Sequence, residues 1–325
     1  MAEQPGEAGT ATREPGAAPE KPGQLTGRTW WGVLKRTVKE FQADNVMDWA
    51  AGLTYYAMLS IFPALLAAVS VLGLFGRNAT DPLMDNLGAL APGPAQQILD
   101  SVLQGLQSSP RAAGIATFIG LGVALWSASG YVGAFIRAAN VMYEVPEGRP
   151  IWKTVPLRLG ITTVLVIFMA AGAVAVVFTG VLADRAGEIL GLGDTTITIW
   201  NIAKWPVLAV ALMLVLALLY WIGPNVEHPG FRWVTPGSVL AVIIWIIASA
   251  GFAFYVANFG AYSKTYAALA GVAVLLIWLW ISNIAVLLGV EFDAELARGR
   301  AIQAGLPADE EPYVEPRDTR TIDKK

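Results

Sequence analysis

Charged residues are absent from six long windows of the chain, 49–76, 112–136, 159–183, 205–226, 233–263 and 265–290. Each exceeds the roughly 20 apolar residues that a helix needs to cross the hydrocarbon core of a bilayer. The pattern predicts six membrane-spanning helices, at about 49–74, 112–136, 159–182, 205–223, 236–258 and 267–290. Two flanking stretches have a different rhythm. In 28–46, Trp31, Leu34, Val38 and Phe41 recur at helical spacing with Lys35, Arg36 and Lys39 between them, the signature of a helix lying in the membrane interface. In the long first loop, at about 95–107, Ile98, Leu99, Val102, Leu103 and Leu106 form an apolar stripe beside Gln96, Gln97, Asp100 and Gln104. That reads as a second amphipathic helix, on the other side of the bilayer. Residues 1–27 and 299–325 offer little to bury and read as disordered tails. The expected architecture is all-α: a polytopic bundle over 28–298 between two such tails.

Composition agrees. The chain is 55% hydrophobic and 14% charged, whereas a soluble domain carries roughly a quarter charged residues. A net charge of −3 gives no electrostatic case for nucleic acid. With no cysteine, disulfides, thiolate metal sites and cysteine nucleophiles are excluded. Lys35, Arg36 and Lys39 precede the first span, Arg137, Arg149, Lys153 and Arg158 lie between the second and third, and further basic residues follow the sixth. Only Arg77, Arg111, Arg185, Lys204 and Lys264 fall in the alternate connections. The bias, carried mainly by the tails and the basic helix, predicts that both termini are cytoplasmic. No internal repeat suggests an inverted-repeat transporter.

The segment WSASGYVGAFIRAAN, 126–140, interrupts its span with polar residues. At 100° per residue, Trp126, Ser129, Gly130, Gly133, Arg137 and Asn140 share one arc, and Val132 and Phe135 face away. Small residues let a neighbouring helix approach closely. An arginine in hydrocarbon costs about 2.5–3.5 kcal/mol even on lenient scales, so the face points into the bundle. On the first span Asp48, Tyr55, Tyr56 and Pro63 lie on a comparable side; on the sixth, Asn283 and Glu291 do. Three polar edges then converge on an inward-facing cavity, with Arg137 paired to Asp48 or Glu291. The alternative is that these charges are helix-end groups that reach the headgroups along their own stems. Pro63 removes a backbone hydrogen bond inside its span.

Four stretches, AAGLTYYAMLSIFP (50–63), LWSASGYVGAFIRAANVMYEV (125–145), VTPGSVLAVIIWIIASAGFAFYVANF (234–259) and IWLWISNIAVLLGVEFDAEL (277–296), together resemble the YihY/virulence factor BrkB family, once labelled ribonuclease BN. The resemblance covers about 30–300 and implies a six-span bacterial inner-membrane protein with cytoplasmic ends, of a family linked to serum resistance and suspected of export. Members often carry Trp after the Asn; this chain has Met142 and Tyr143.

Enzyme chemistry finds little support. A nuclease needs paired histidines or a carboxylate and histidine cluster around a metal, and the chain has one histidine, His228, in a short loop. Ser129 has no base in its span, and no Walker motif is present. No metal, cofactor or nucleic acid is expected. The partners are the bilayer and an anionic lipid or lipid-linked substrate, the chain acting as a transporter; the alternative is a scaffold or accessory subunit that moves nothing.

Overall fold

The computed structural model describes residues 24–73, 110–177, 194–228, 234–259, 267–308 and 312–322. Seven helices fall within them. The short α1 (Gly27–Ala43) precedes α2 (Val46–Gly73), α3 (Pro110–Met142), α4 (Ile151–Val177), α5 (Asp194–Ile222), α6 (Pro236–Phe259) and α7 (Ala267–Gln303). Among the described residues the one β feature is an isolated bridge, Val226 to Pro316. The expected helix at 95–107 lies outside the described residues, as does all but the end of the 1–27 tail.

Local chemistry sets the helix ends. Thr26 caps α1, its Oγ1 accepting from Thr29 N at 3.2 Å. The helix stops at Asp44, and Asn45 takes φ 52° before α2 begins. Asparagine tolerates that left-handed conformation better than most residues, so the expected 28–46 helix ends there. Thr235 and Ser238 bond reciprocally, each backbone N–H donating to the other's hydroxyl (Thr235 N to Ser238 Oγ 3.1 Å, Ser238 N to Thr235 Oγ1 3.0 Å). Pro236 then occupies the first turn of α6, the start its sequence announces.

α2, α4 and α6 begin, and α3, α5 and α7 end, at the end of the bundle where α1 lies. Helix α7 touches α1, α2, α3 and α6; α4 packs on α3 and α5, and α5 on α6. The core is richest at the α1 end, around Leu53, Phe135, Tyr220 and Leu287. There α6 crosses α7 at Gly237 and Gly289. A Cβ on Gly289 would lie 2.5 Å from the Tyr220 hydroxyl oxygen and 2.6 Å from the Gly237 carbonyl oxygen, so the crossing depends on both glycines.

Among the described residues four helices, over Ile151–Met169, Thr198–Ile222, Pro236–Asn258 and Ala270–Gln303, are long and apolar enough to cross a membrane. Their outward side chains include Ile167, Met169, Ile247 and Phe254, all more than 60% exposed. Apolar surface so continuous belongs against lipid. The chain is an all-α membrane helical bundle.

The C-terminal region departs from expectation. Residues 299–325 were expected to be disordered, yet α7 runs to Gln303, and Leu306 N then bonds back to Ala301 O past Gly305 at φ 107°. Residues 312–322 return as an extended strap across the turns joining α3 to α4 and α5 to α6. Arg317 N donates to Asn225 O at 2.9 Å, and Thr321 N to Gly148 O at 3.1 Å. A segment that is polar by composition is ordered here through backbone hydrogen bonds, which hydropathy does not register.

Candidate functional site

The stripe Trp126, Gly130, Gly133, Arg137 runs along α3. The two glycines admit neighbours, as their size predicts. A Cβ on Gly130 would lie 3.2 Å from the Tyr56 ring of α2, and one on Gly133 would lie 2.8 Å from the Arg158 Cζ of α4. Arg158 is the member of this candidate site that sequence reasoning missed, since it enters there only as a loop charge. Its Nε donates to Ser129 O at 3.1 Å and its Nη2 to Ser129 Oγ at 3.2 Å. This anchors the guanidinium over α3, one helical turn from Arg137. The two like charges act on one another. Among the described residues no carboxylate lies within ion-pair distance of either. Ser129 is buried; Arg137, Trp126 and Tyr55 are exposed. Tyr55 packs edge-on against Tyr56, ring centroids 5.5 Å apart.

The expected ion pair of Arg137 with Asp48 or Glu291 does not form. Asp48 is exposed at the start of α2. Glu291 is buried and turned toward α1, where Asp44 and Glu40 face it. Beside it Glu295 accepts from Arg36 at 2.5 Å and lies 3.5 Å from Arg298, which also reaches Glu40 at 3.7 Å. The physical reason is the packing of α1 on α7: it turns Glu291 toward Asp44 and Glu40 and gives Glu295, one turn on, to Arg36 and Arg298, and Arg137 is left on another face.

Convergence of three helices does occur, around Asn283. Its Oδ1 accepts from the Tyr131 hydroxyl of α3 at 2.8 Å, and its Nδ2 donates to Thr54 Oγ1 of α2 at 3.1 Å. This is a closed seam with its polar atoms satisfied. Asn140 has an architectural role as well: its Nδ2 donates to Glu147 Oε2 at 3.1 Å, and its Oδ1 accepts from Asn225 N at 2.7 Å. Burial raises the Glu147 carboxyl, but hydrogen bonds and charge from Arg149 outweigh it and hold the group below its usual range. Pro63 lies within α2, and its side chain falls outside the described residues.

A cavity of about 100 Å³ opens elsewhere at the α1 end, lined by Tyr143, Trp221, His228, Asp293, Arg300 and Val314 among others. None of the residues expected to line a cavity is there. Burial, with Arg317 of the strap nearby, lowers the His228 pKa to about 4 from its ordinary 6.5. A histidine depressed in the fold stays neutral there, so its stabilising effect is complete above about pH 6.5 and fades as pH falls toward 4. The whole effect is at most about 3 kcal/mol. Melting curves in detergent should show this loss between pH 6.5 and 4, and His228→Gln should flatten that part of the profile. An unchanged slope in the variant would assign the loss to other groups.

The profile of the family described as Virulence factor BrkB matches residues 37–312. A ribonuclease-like protein of Bacillus subtilis, YfkH, is 31% identical over 280 residues, 86% of this chain and 98% of that one. A UPF0761 membrane protein of Alkalilimnicola ehrlichii is 29% identical over 84% of this chain, which spans only 61% of that relative's length. A UPF0761 membrane protein of Alteromonas mediterranea is 26% identical, covering 83% of this chain and 88% of that one. No solved structure matches the chain.

Proposed function

The chain belongs to the virulence factor BrkB family, and on that premise we propose that it is a six-span bacterial plasma-membrane protein that moves an anionic amphipath, a lipid or lipid-linked molecule, across the bilayer. The α1 end is the cytoplasmic end, and both termini are cytoplasmic. The supporting bias is that of Lys35, Arg36, Lys39, Arg149, Lys153 and the C-terminal arginines, all on that side.

One observation carries the substrate class: Arg137 and Arg158 lie together at the side of α3, without a carboxylate among the described residues. Positive charge left uncompensated beside apolar surface attracts an anion that brings its own apolar body. Trp126 and Tyr55, exposed along the same edge, suit the interfacial depth of a headgroup. The path is therefore a laterally open face, in place of the enclosed inward cavity expected from the sequence. The word ribonuclease in the Bacillus relative's name belongs to that protein. In this chain the sole histidine packs against Tyr143, ring centroids 5.7 Å apart, and we read the chain as non-enzymatic.

Liposomes containing the purified protein and a fluorescent anionic phospholipid provide the test. Lipid should move between leaflets faster than in protein-free vesicles, and Arg137→Gln should slow it by about tenfold, the equivalent of roughly 1.4 kcal/mol. Movement no faster than in protein-free vesicles would leave the scaffold reading standing.

A further inference from the structure

We propose, resting on the anionic-amphipath reading above, that Arg137 and Arg158 form a two-guanidinium site for a phosphomonoester dianion. The argument begins with Gly133. Its missing Cβ is what allows the Arg158 guanidinium to lie against α3, since a methyl there would come 2.7 Å from Nε and 2.8 Å from Cζ. Ser129 then holds that guanidinium by two hydrogen bonds, to its carbonyl and its hydroxyl. The bonds occupy Nε and Nη2, and Nη1 makes none to the described residues. Arg137 follows Gly133 by four residues on the same helix face. It is exposed and forms no hydrogen bond or ion pair with the described residues. The sequence thus spends a glycine and a buried serine on bringing two like charges together. Held so, they repel, and a bound anion relieves the repulsion.

Charge and shape select the anion. A carboxylate or phosphodiester brings one negative charge and leaves one guanidinium uncompensated. A phosphomonoester carries about −1.5 to −2 near pH 7, with three terminal oxygens. Guanidinium forks match those oxygens in paired hydrogen bonds, and such charge-assisted bonds are roughly twice as strong as neutral ones. The aromatic edge of Tyr55, Tyr56 and Trp126 runs alongside on α2 and α3. The group can arrive on a lipid such as a phosphatidic acid, or as free phosphate from the water phase.

Native mass spectrometry of the full-length protein in a neutral detergent can separate these cases. The probes are short-chain phosphatidic acid, short-chain phosphatidylglycerol and inorganic phosphate. At pH 7.5 phosphatidic acid should bind about tenfold more tightly than phosphatidylglycerol, a difference of roughly 1.4 kcal/mol. The gap should narrow below about pH 6, where the monoester takes up its second proton. Arg137→Gln and Arg158→Gln should each abolish the preference, and Gly133→Ala should reduce it by displacing Arg158. Unchanged melting temperatures confirm that the variants fold; Arg137, being exposed, is the safer of the two arginines. Equal binding of the two lipids would overturn the dianion site and leave the anionic-amphipath reading intact. Binding of neither lipid would defeat both. Inorganic phosphate competing as well as phosphatidic acid would support the dianion site and overturn a lipid-borne source.

Discussion

Replacing Glu295 by alanine should lower the unfolding free energy by about 3 kcal/mol, the range in which removal of one member of a buried ion pair falls. Glu295 is 4% exposed on α7. Its carboxylate accepts from Arg36 Nε of α1 at 2.5 Å and lies 3.5 Å from Arg298 Nη1. Truncation leaves the Arg36 side chain, itself only 24% exposed, facing a void with its charge still present. Arg298 loses less, because Glu40 at 3.7 Å and the Tyr313 ring at 4.6 Å remain. The loss should therefore concentrate at the joint between α1 and α7. Amide exchange should rise first across Gly27–Ala43, and the global melt should follow. The double variant Arg36→Ala with Glu295→Ala should recover part of the loss, since removing the stranded cation removes its desolvation cost. A Glu295→Ala melt within about 0.5 kcal/mol of the parent would mean that apolar contacts at Val33 and Leu296 hold α1 without the pair.

Element positions were largely legible in the sequence because membrane helices obey one dominant rule, and each charge-free window overlaps one of α2 to α7. The α1 stripe was legible for the same reason. Trp31, Leu34 and Val38 stay exposed on it while Val33 and Thr37 are buried against the bundle. Helix-wheel reasoning grouped the small residues of α3 but turned their face the wrong way: Val132 and Phe135, expected to face away, are buried in the core, while Trp126 and Arg137, expected to point into the bundle, are exposed. A wheel fixes which residues share an arc on one helix and says nothing of which helix packs there. Hence Gly133 was read correctly as a close-approach position, and the group that approaches, Arg158, went unnoticed. The same limit produced the mistaken pairing of Arg137 with Glu291. Both occupy polar edges of their own helices, but α1 covers the edge of α7, and Glu40 of α1 and Asp44 just after it are the neighbours of Glu291. Asn140 and Asn283 were expected to line a cavity, and both are instead buried among protein groups. Their hydrogen bonds close on other protein groups, and that distinction between structural and ligand-facing polarity is written only in three dimensions.

Asn225→Ala should release the C-terminal strap. The Asn225 side chain sits where three chain segments meet, and the residue has no exposed surface. Its Nδ2 donates to Pro146 O at 3.1 Å and to Asp318 O at 2.9 Å, and its Oδ1 accepts from Asp318 N at 3.1 Å. Alanine leaves those backbone groups without partners, at about 1–3 kcal/mol for each one that stays buried. The strap has an alternative open to it, which is to leave and be hydrated. Its remaining ties are three backbone hydrogen bonds, Glu227 N to Glu315 O, Arg317 N to Asn225 O and Thr321 N to Gly148 O, and side-chain contacts that are partly in solvent. The Lys153 to Asp318 pair at 2.9 Å has a half-exposed lysine, and Arg317 rests over the Trp221 ring at 5.8 Å. Undocking should therefore limit the loss in global stability while residues 312–322 exchange their amides freely. His228 reports the event independently. With Arg317 gone and the cavity open, both influences that lower its pKa weaken, and its titration should move from about 4 toward 6.5. Because the docked strap disfavours the charged imidazole, acid should favour release even in the parent protein, with the effect growing as pH falls through that interval. A chain ending before Pro312 should reproduce the shifted titration. If Asn225→Ala keeps full amide protection over 312–322, the backbone bonds at Glu315, Arg317 and Thr321 hold the strap, and the asparagine side chain is not its anchor.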